Sequence, residues 1–240
     1  MPHTFAFIDL LSWGRVGKSI IMKKLLYFIA VLLISCEKDS SYAPQDQNIL
    51  TAVDLGLSVK WANMNIGASS PEEYGNYYAW GETTVKTYYD WDTYKWGRPG
   101  NFTKYNFLKD WGIVDNKGVL DLVDDVAHVK LGGKWRMPTK DEWAELKSQC
   151  TYKKAIQNGV KGLLVTGKNG NSIFLPAAGY KSKDEVSISH EGYYWSSSLH
   201  LEGGGVLEAD CGRIYPESWM IYSDVPYVRH IGFPVRPVLE

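Results

Sequence analysis

The chain has 240 residues, a formal net charge of −1, three Cys and an apolar fraction of 45%, the profile of a globular protein rather than a disordered or fibrous one. Near-neutral charge removes the electrostatic basis for broad nucleic-acid binding, and three Cys without paired C-x-x-C spacing do not make a disulfide scaffold or a structural zinc site. The unusual feature is 16 Tyr and 10 Trp against 7 Phe, an excess of rings with a polar handle that suit half-buried sites and binding surfaces.

Residues 1–21 carry no role that the sequence reveals; either translation begins at Met22 or the leader is extended. Met22-Lys23-Lys24 precedes an apolar run, Leu25 to Ile34. The run is too short to cross a bilayer as a helix but matches the hydrophobic region of a signal peptide. It closes at Leu33-Ile34-Ser35-Cys36, which resembles the lipobox of bacterial lipoproteins. That resemblance implies a signal peptide over 22–35, lipidation of Cys36, and a membrane partner reached through the acylated N-terminus. Residues 36–50 are polar and lack periodicity, as a flexible tether would be. Acidic residues just after Cys36 resemble surface-export signals, so the expected location is the outer membrane, with the domain surface-exposed. Cleavage leaves 22 basic and 26 acidic residues, a net charge of about −4 with His neutral.

Residues 51–240 contain no linker, charge block or fixed-period repeat and read as one α+β domain. Val53 to Trp61 alternates apolar and polar residues as a half-buried strand does. Tyr77 to Trp80 reads as a second short strand. Glu82 to Asn116 reads as extended loops carrying Tyr88, Tyr89, Trp91, Tyr94, Trp96, Tyr105 and Trp111. Asp124 to Val129 reads as a short helix stopped by Gly132-Gly133, with Asp121, Asp124 and Asp125 at its solvated start. Thr139 and Glu142 form a capping box that opens the clearest helix. Trp143, Leu146 and Cys150 give that helix an apolar stripe. Leu163 to Thr166 and Ser172 to Leu175 flank Asn169-Gly170, a hairpin signal. Gly192 to Ser198, Val206 to Cys211, Trp219 to Tyr222 and Phe233 to Val238 complete a set of short strands.

Several runs now fall into one series: Val53-Asp54-Leu55-Gly56-Leu57, Tyr74-Gly75-Asn76-Tyr77-Tyr78-Ala79-Trp80-Gly81-Glu82-Thr83, Gly132-Gly133-Lys134-Trp135-Arg136-Met137-Pro138-Thr139, Ile173-Phe174-Leu175-Pro176-Ala177-Ala178-Gly179 and Val235-Arg236-Pro237-Val238. They resemble the Fibrobacter succinogenes major paralogous domain, found mostly in lipoproteins of Gram-negative bacteria. The resemblance runs from about Val53 to Val238. It implies a single C-type-lectin-like domain with short antiparallel sheets, two or so helices and long loops, related to formylglycine-generating enzymes.

Fold alone does not give function. The oxidase chemistry of formylglycine-generating enzymes needs a close Cys pair, whereas Cys150 and Cys211 lie far apart in the chain. The four His in the domain lack the clustered spacing of iron-dependent relatives, and the calcium motifs of sugar-binding C-type lectins are absent. No cofactor or metal site is expected. Ser196 to Ser198 lie near His190 and His200, but no nucleophile elbow occurs, so local hydrogen bonding is the expected role of these serines. Cys150 and Cys211 read as a disulfide or, more simply, as buried thiols.

Arg136, Thr139, Glu142, Trp143 and Arg236 are expected to be structural, the two Arg as forks tying loops together. For the loop rings, pinning to the core and facing a ligand stay open. The resulting expectation is a non-enzymatic ligand-binding or adhesion module. Its exposed site residues would be Tyr193, His200, Glu208, Asp210, Arg213, Trp219, Tyr222 and Arg229, facing an unknown glycan or protein. The alternatives are a subunit of a fimbria-like assembly and an uncharacterised enzyme on the formylglycine-generating fold.

Overall fold

In chain order the strands are β1 (Ala52–Val53), β2 (Lys60–Ala62), β3 (Gly97–Arg98), β4 (Asn101–Phe102), β5 (Trp135–Arg136), β6 (Thr151–Gln157) and β7 (Val160–Thr166). They continue with β8 (Ser172–Pro176), β9 (Tyr180–Ser182), β10 (Glu185–Ser187), β11 (Gly192–Leu199), β12 (Glu208–Tyr215), β13 (Met220–Val228) and β14 (Val238–Leu239). Among the described residues there are two α-helices, α1 (Val126–Leu131) between β4 and β5 and α2 (Lys140–Gln149) between β5 and β6. This computed structural model describes residues 49–188 and 190–240. The leader, Cys36 and nearly all of the tether fall outside the described residues. The fold is α+β, with short antiparallel sheets and long connections.

The expected strand over Val53 to Trp61 is two pieces. Gly56 takes φ +75°, a left-handed conformation that suits Gly, and the Asp54 carboxylate accepts its N–H at 2.7 Å. That local turn breaks the alternation, and β1 folds back on β2. β2 then pairs with β14, and β14 with β5, closing a four-stranded sheet. The anticipated strand at Tyr77 to Trp80 is reduced to a single bridge between Tyr78 and Phe233.

Both helix starts are built by side-chain caps. Asp125 accepts from the N–H of Ala127 and His128 with one carboxylate oxygen and from Met137 N–H with the other. Asp124 belongs to a preceding 3-10 turn. Both carboxylates are buried rather than solvated as expected. They can be buried because Asp125 is saturated by backbone donors and Asp124 by Lys104, Tyr105 and Lys95. At α2, Thr139 and Glu142 form the reciprocal capping box. Trp143 and Leu146 are buried and Cys150 ends the helix.

α2 packs on one face of the β11–β12–β13 sheet. Gly212 is the contact point: a Cβ there would lie 2.5 Å from the Trp143 ring, so only Gly admits the indole. Tyr194, Ile214 and Ile221 share this apolar cluster. The opposite face of the sheet carries Tyr193, Trp195, Ala209 and Cys211, packed with Trp80, Phe233 and Val235. The sheet is thus sandwiched between two cores, which makes β11 buried along its whole length.

Candidate functional site

The arginines define what is framework. Arg236 is fully buried and donates to Asn65 Oδ1 (2.8 Å), Ala62 O (3.0 Å) and Phe174 O (2.9 Å). It ties three segments together without a carboxylate, and burial pushes its pKa down to about 10. Arg136 grips Glu142 with both Nη atoms (2.8 and 2.6 Å) and reaches Glu240 through Nε (2.7 Å). It thereby fixes the α2 cap to the last residues of the chain.

Of the eight residues expected to be exposed, three are buried. Arg229 is sealed in the core, donating from Nη1 to Tyr105 O at 3.1 Å with its guanidinium 4.1 Å over Phe102. Its Nε and Nη2 have no hydrogen-bond partner among the described residues. Burial lowers its pKa, and the aromatic faces around it supply compensating attraction. Tyr193 is also buried, its ring near Phe233 and its hydroxyl donating to Glu191 at 2.7 Å. Asp210 is buried as well, on the α2 side of β12. The apolar environment on both faces of the sheet is what withdraws these residues from solvent.

Asp210 and His200 do come together: His200 Nδ1 donates to Asp210 Oδ1 at 2.7 Å. Asp210 Oδ2 lacks a hydrogen bond and lies 3.9 Å from Lys140 Nζ. Burial holds the Asp210 pKa above the usual carboxylate range. An oriented His is half of an acyl-transfer site, but among the described residues no hydroxyl is bonded to it. Ser196 Oγ donates to the Asp210 backbone carbonyl, and Ser198 Oγ accepts from Lys140 N–H. Both serines are committed to local structure. Glu208, half-buried, stands near this pair at the start of β12.

The remaining three, Arg213, Trp219 and Tyr222, gather at the other end of the sheet, on the β12–β13 hairpin. Arg213 donates from Nε and Nη2 to Glu191 (3.0 and 2.6 Å) and lies 4.4 Å over the Tyr215 ring. Tyr215 meets Tyr222 edge to face at 5.5 Å. Trp219 is 60% exposed, Met220 41% and Tyr222 36%. Trp219 also has φ +54°, a region unfavourable for a bulky residue. A ring held in a strained conformation, with most of its surface in water, is not serving the core. Tyr215, Met220 and Lys147, whose ammonium lies 5.9 Å from the Tyr222 ring, were not legible as site members. Their positions depend on β12–β13 register and on the α2 packing.

The rings between Tyr88 and Trp111 take the other course. Tyr89, Tyr94 and Tyr105 are buried. Tyr94 donates its hydroxyl to Trp80 O at 2.8 Å and Trp96 its indole N–H to Gly81 O at 3.0 Å. Tyr89, Tyr94 and Trp96 each pin a loop by placing a polar tip on a backbone carbonyl, and Tyr105 does so on the Asp124 carboxylate. Tyr88 is the exposed exception.

Among the described residues no group of three or more His, Cys, Asp or Glu is arranged to hold a metal ion. Cys150 and Cys211 are free and buried, and burial raises the pKa of both thiols. A cleft of about 350 Å³ is lined by Leu50, Ile66, Tyr78, Val85 and Leu131, with Lys130 as the one charged side chain among the described residues that line it. No family model matches the chain, and comparison with curated proteins and with solved structures likewise returns no match.

Proposed function

We propose that this chain is a non-enzymatic binding module of the Fibrobacter succinogenes major paralogous kind, built on a C-type-lectin-like fold. It is held at the outer membrane by a lipid on Cys36 and presents the β12–β13 hairpin to a ligand. One observation carries the binding reading: Trp219, the most exposed ring of its group, sits at the hairpin tip with φ +54° beside exposed Met220 and Tyr222. Backbone strain of this kind costs on the order of 1–2 kcal/mol and is concentrated at functional positions. Trp, Tyr, Met and Arg are also the residue types enriched where protein interfaces bury surface. That mix supports a protein ligand over a sugar.

The test is an array of glycans and of envelope and host proteins probed with the full-length protein in detergent. A ligand captured by the unaltered protein and lost with Trp219→Ala and Tyr222→Ala together, at unchanged melting temperature, supports the reading. Capture that survives both changes defeats the site assignment. A parallel arm replaces Cys36 by Ser: loss of the protein from the membrane fraction is the expected outcome, and its retention there refutes lipid anchoring at Cys36.

A further inference from the structure

We propose that the free edge of β13 accepts an extended, acidic segment of a partner polypeptide, which adds a fourth strand to the β11–β12–β13 sheet. The proposal rests on the binding reading above and specifies its partner.

The two edges of this sheet differ. Along β11 the edge is closed by backbone bonds to other segments: Ser197 N–H to Pro138 O (2.8 Å), Leu120 N–H to Ser197 O (2.9 Å), Leu199 N–H to Gly118 O (2.8 Å) and Trp195 N–H to Pro234 O (3.3 Å). Along β13, residues 220–227 make no backbone–backbone hydrogen bond except to β12 among the described residues. A row of unpaired N–H and C=O groups is a template for another strand.

Proteins guard such edges with charge, Pro or a bulge. The second half of β13 has all three: exposed Asp224, exposed Pro226 and the register shift opposite Cys211 to Arg213. The start of the strand, Met220 to Tyr222, has none. β6, also a terminal strand of its sheet, carries exposed Lys153 and Lys154 at its middle. The chain thus protects the β6 edge along its middle and leaves Met220 to Tyr222 of this one unguarded. An incoming strand would align its alternate side chains with Met220 and Tyr222 while its backbone pairs with β13.

Charge selects the partner's sign. Arg213, Lys147, Lys154 and Lys161 surround the unguarded stretch, against Glu191, Glu217 and Asp224. Glu191 is taken by Arg213, and Glu217 is shared by Lys154 and Lys161. Lys147 makes no ion pair among the described residues. The surplus is positive, which favours an acidic segment.

The experiment screens a display library of random peptides against the full-length protein in detergent, then scans the best binder by N-methylation of one amide at a time. Enrichment of acidic sequences is expected. Methylation of every second amide should weaken binding about tenfold, the loss of one net hydrogen bond, while the intervening amides tolerate it. Tyr222→Glu, which places a guarding charge of the partner's own sign on the edge, should abolish capture without moving the melting curve. Uniform tolerance of N-methylation overturns strand addition. If Trp219→Ala still abolishes that same peptide's binding, the hairpin binding reading survives. Enrichment of neutral or basic sequences, no peptide capture, or self-association of the protein through β13 also overturns the proposal. Peptide binding indifferent to both Trp219→Ala and Tyr222→Glu overturns the hairpin binding reading as well.

Discussion

The loops from Glu82 to Asn116 and the hairpin from Tyr215 to Tyr222 are both rich in Tyr and Trp, yet they use the rings in opposite ways. In the loops, buried ring bodies and bonded polar tips replace regular secondary structure: Tyr94 holds Trp80, Trp96 holds Gly81, and Tyr105 donates to Asp124. In the hairpin the β12–β13 backbone pairing already holds the two strands together, and Trp219 and Tyr222 present their rings to water. Where strands do the structural work, aromatic side chains are released for contact with something else. The difference is one of hydrogen-bond need rather than of composition.

The comparison can be broken at its framework side first. Replacing Arg236 by Ala strands Asn65 Oδ1 and two buried carbonyls, and should lower stability by about 4 kcal/mol, read from the midpoint of a denaturant titration. Asp124→Asn removes the carboxylate that collects Lys104, Lys95 and Tyr105 and should cost about 3 kcal/mol near neutral pH. Although burial raises the Asp124 pKa, the hydrogen bonds from Lys104, Tyr105 and Lys95 outweigh it and hold the value below the ordinary one. Its stabilisation is therefore present above the unfolded pKa and is lost as pH falls through the folded one. A stability-against-pH curve of the variant should lack that part of the acid limb.

On the hairpin side, the same chemistry should leave stability alone. Trp219→Ala combined with Tyr222→Ala should weaken ligand capture by about 2 kcal/mol or more, with a stability change within about 0.5 kcal/mol. A comparable loss of stability would make the hairpin another framework region and erase the contrast.

How much of this was legible in the sequence depends on the range of the determining interaction. The α2 cap was legible because Thr139 and Glu142 are three residues apart and their chemistry is local. The turn at Asn169-Gly170 was legible for the same reason. β6 was missed: Tyr152, Lys153, Lys154 and Ala155 show no alternation, because as an edge strand it is largely exposed on both faces. The expected strand at Val53 to Trp61 failed at Gly56, where a local turn outweighs the periodic pattern. In the candidate site, Trp219 and Tyr222 could be picked out as rings in an irregular context. Arg229 could not be separated from them, because its burial against Phe102 depends on a loop more than a hundred residues earlier. Asp210 was misread for the same reason, since α2 covers its side of β12.

The most direct test of the account is Trp219→Gly, measured for equilibrium stability and for ligand capture on the same preparation. Gly relieves the left-handed backbone at φ +54° and removes the ring. The account predicts a protein more stable by up to about 1 kcal/mol, the relief of the left-handed backbone less the entropy Gly adds to the unfolded chain, that no longer captures its ligand. A less stable protein that still binds would contradict it.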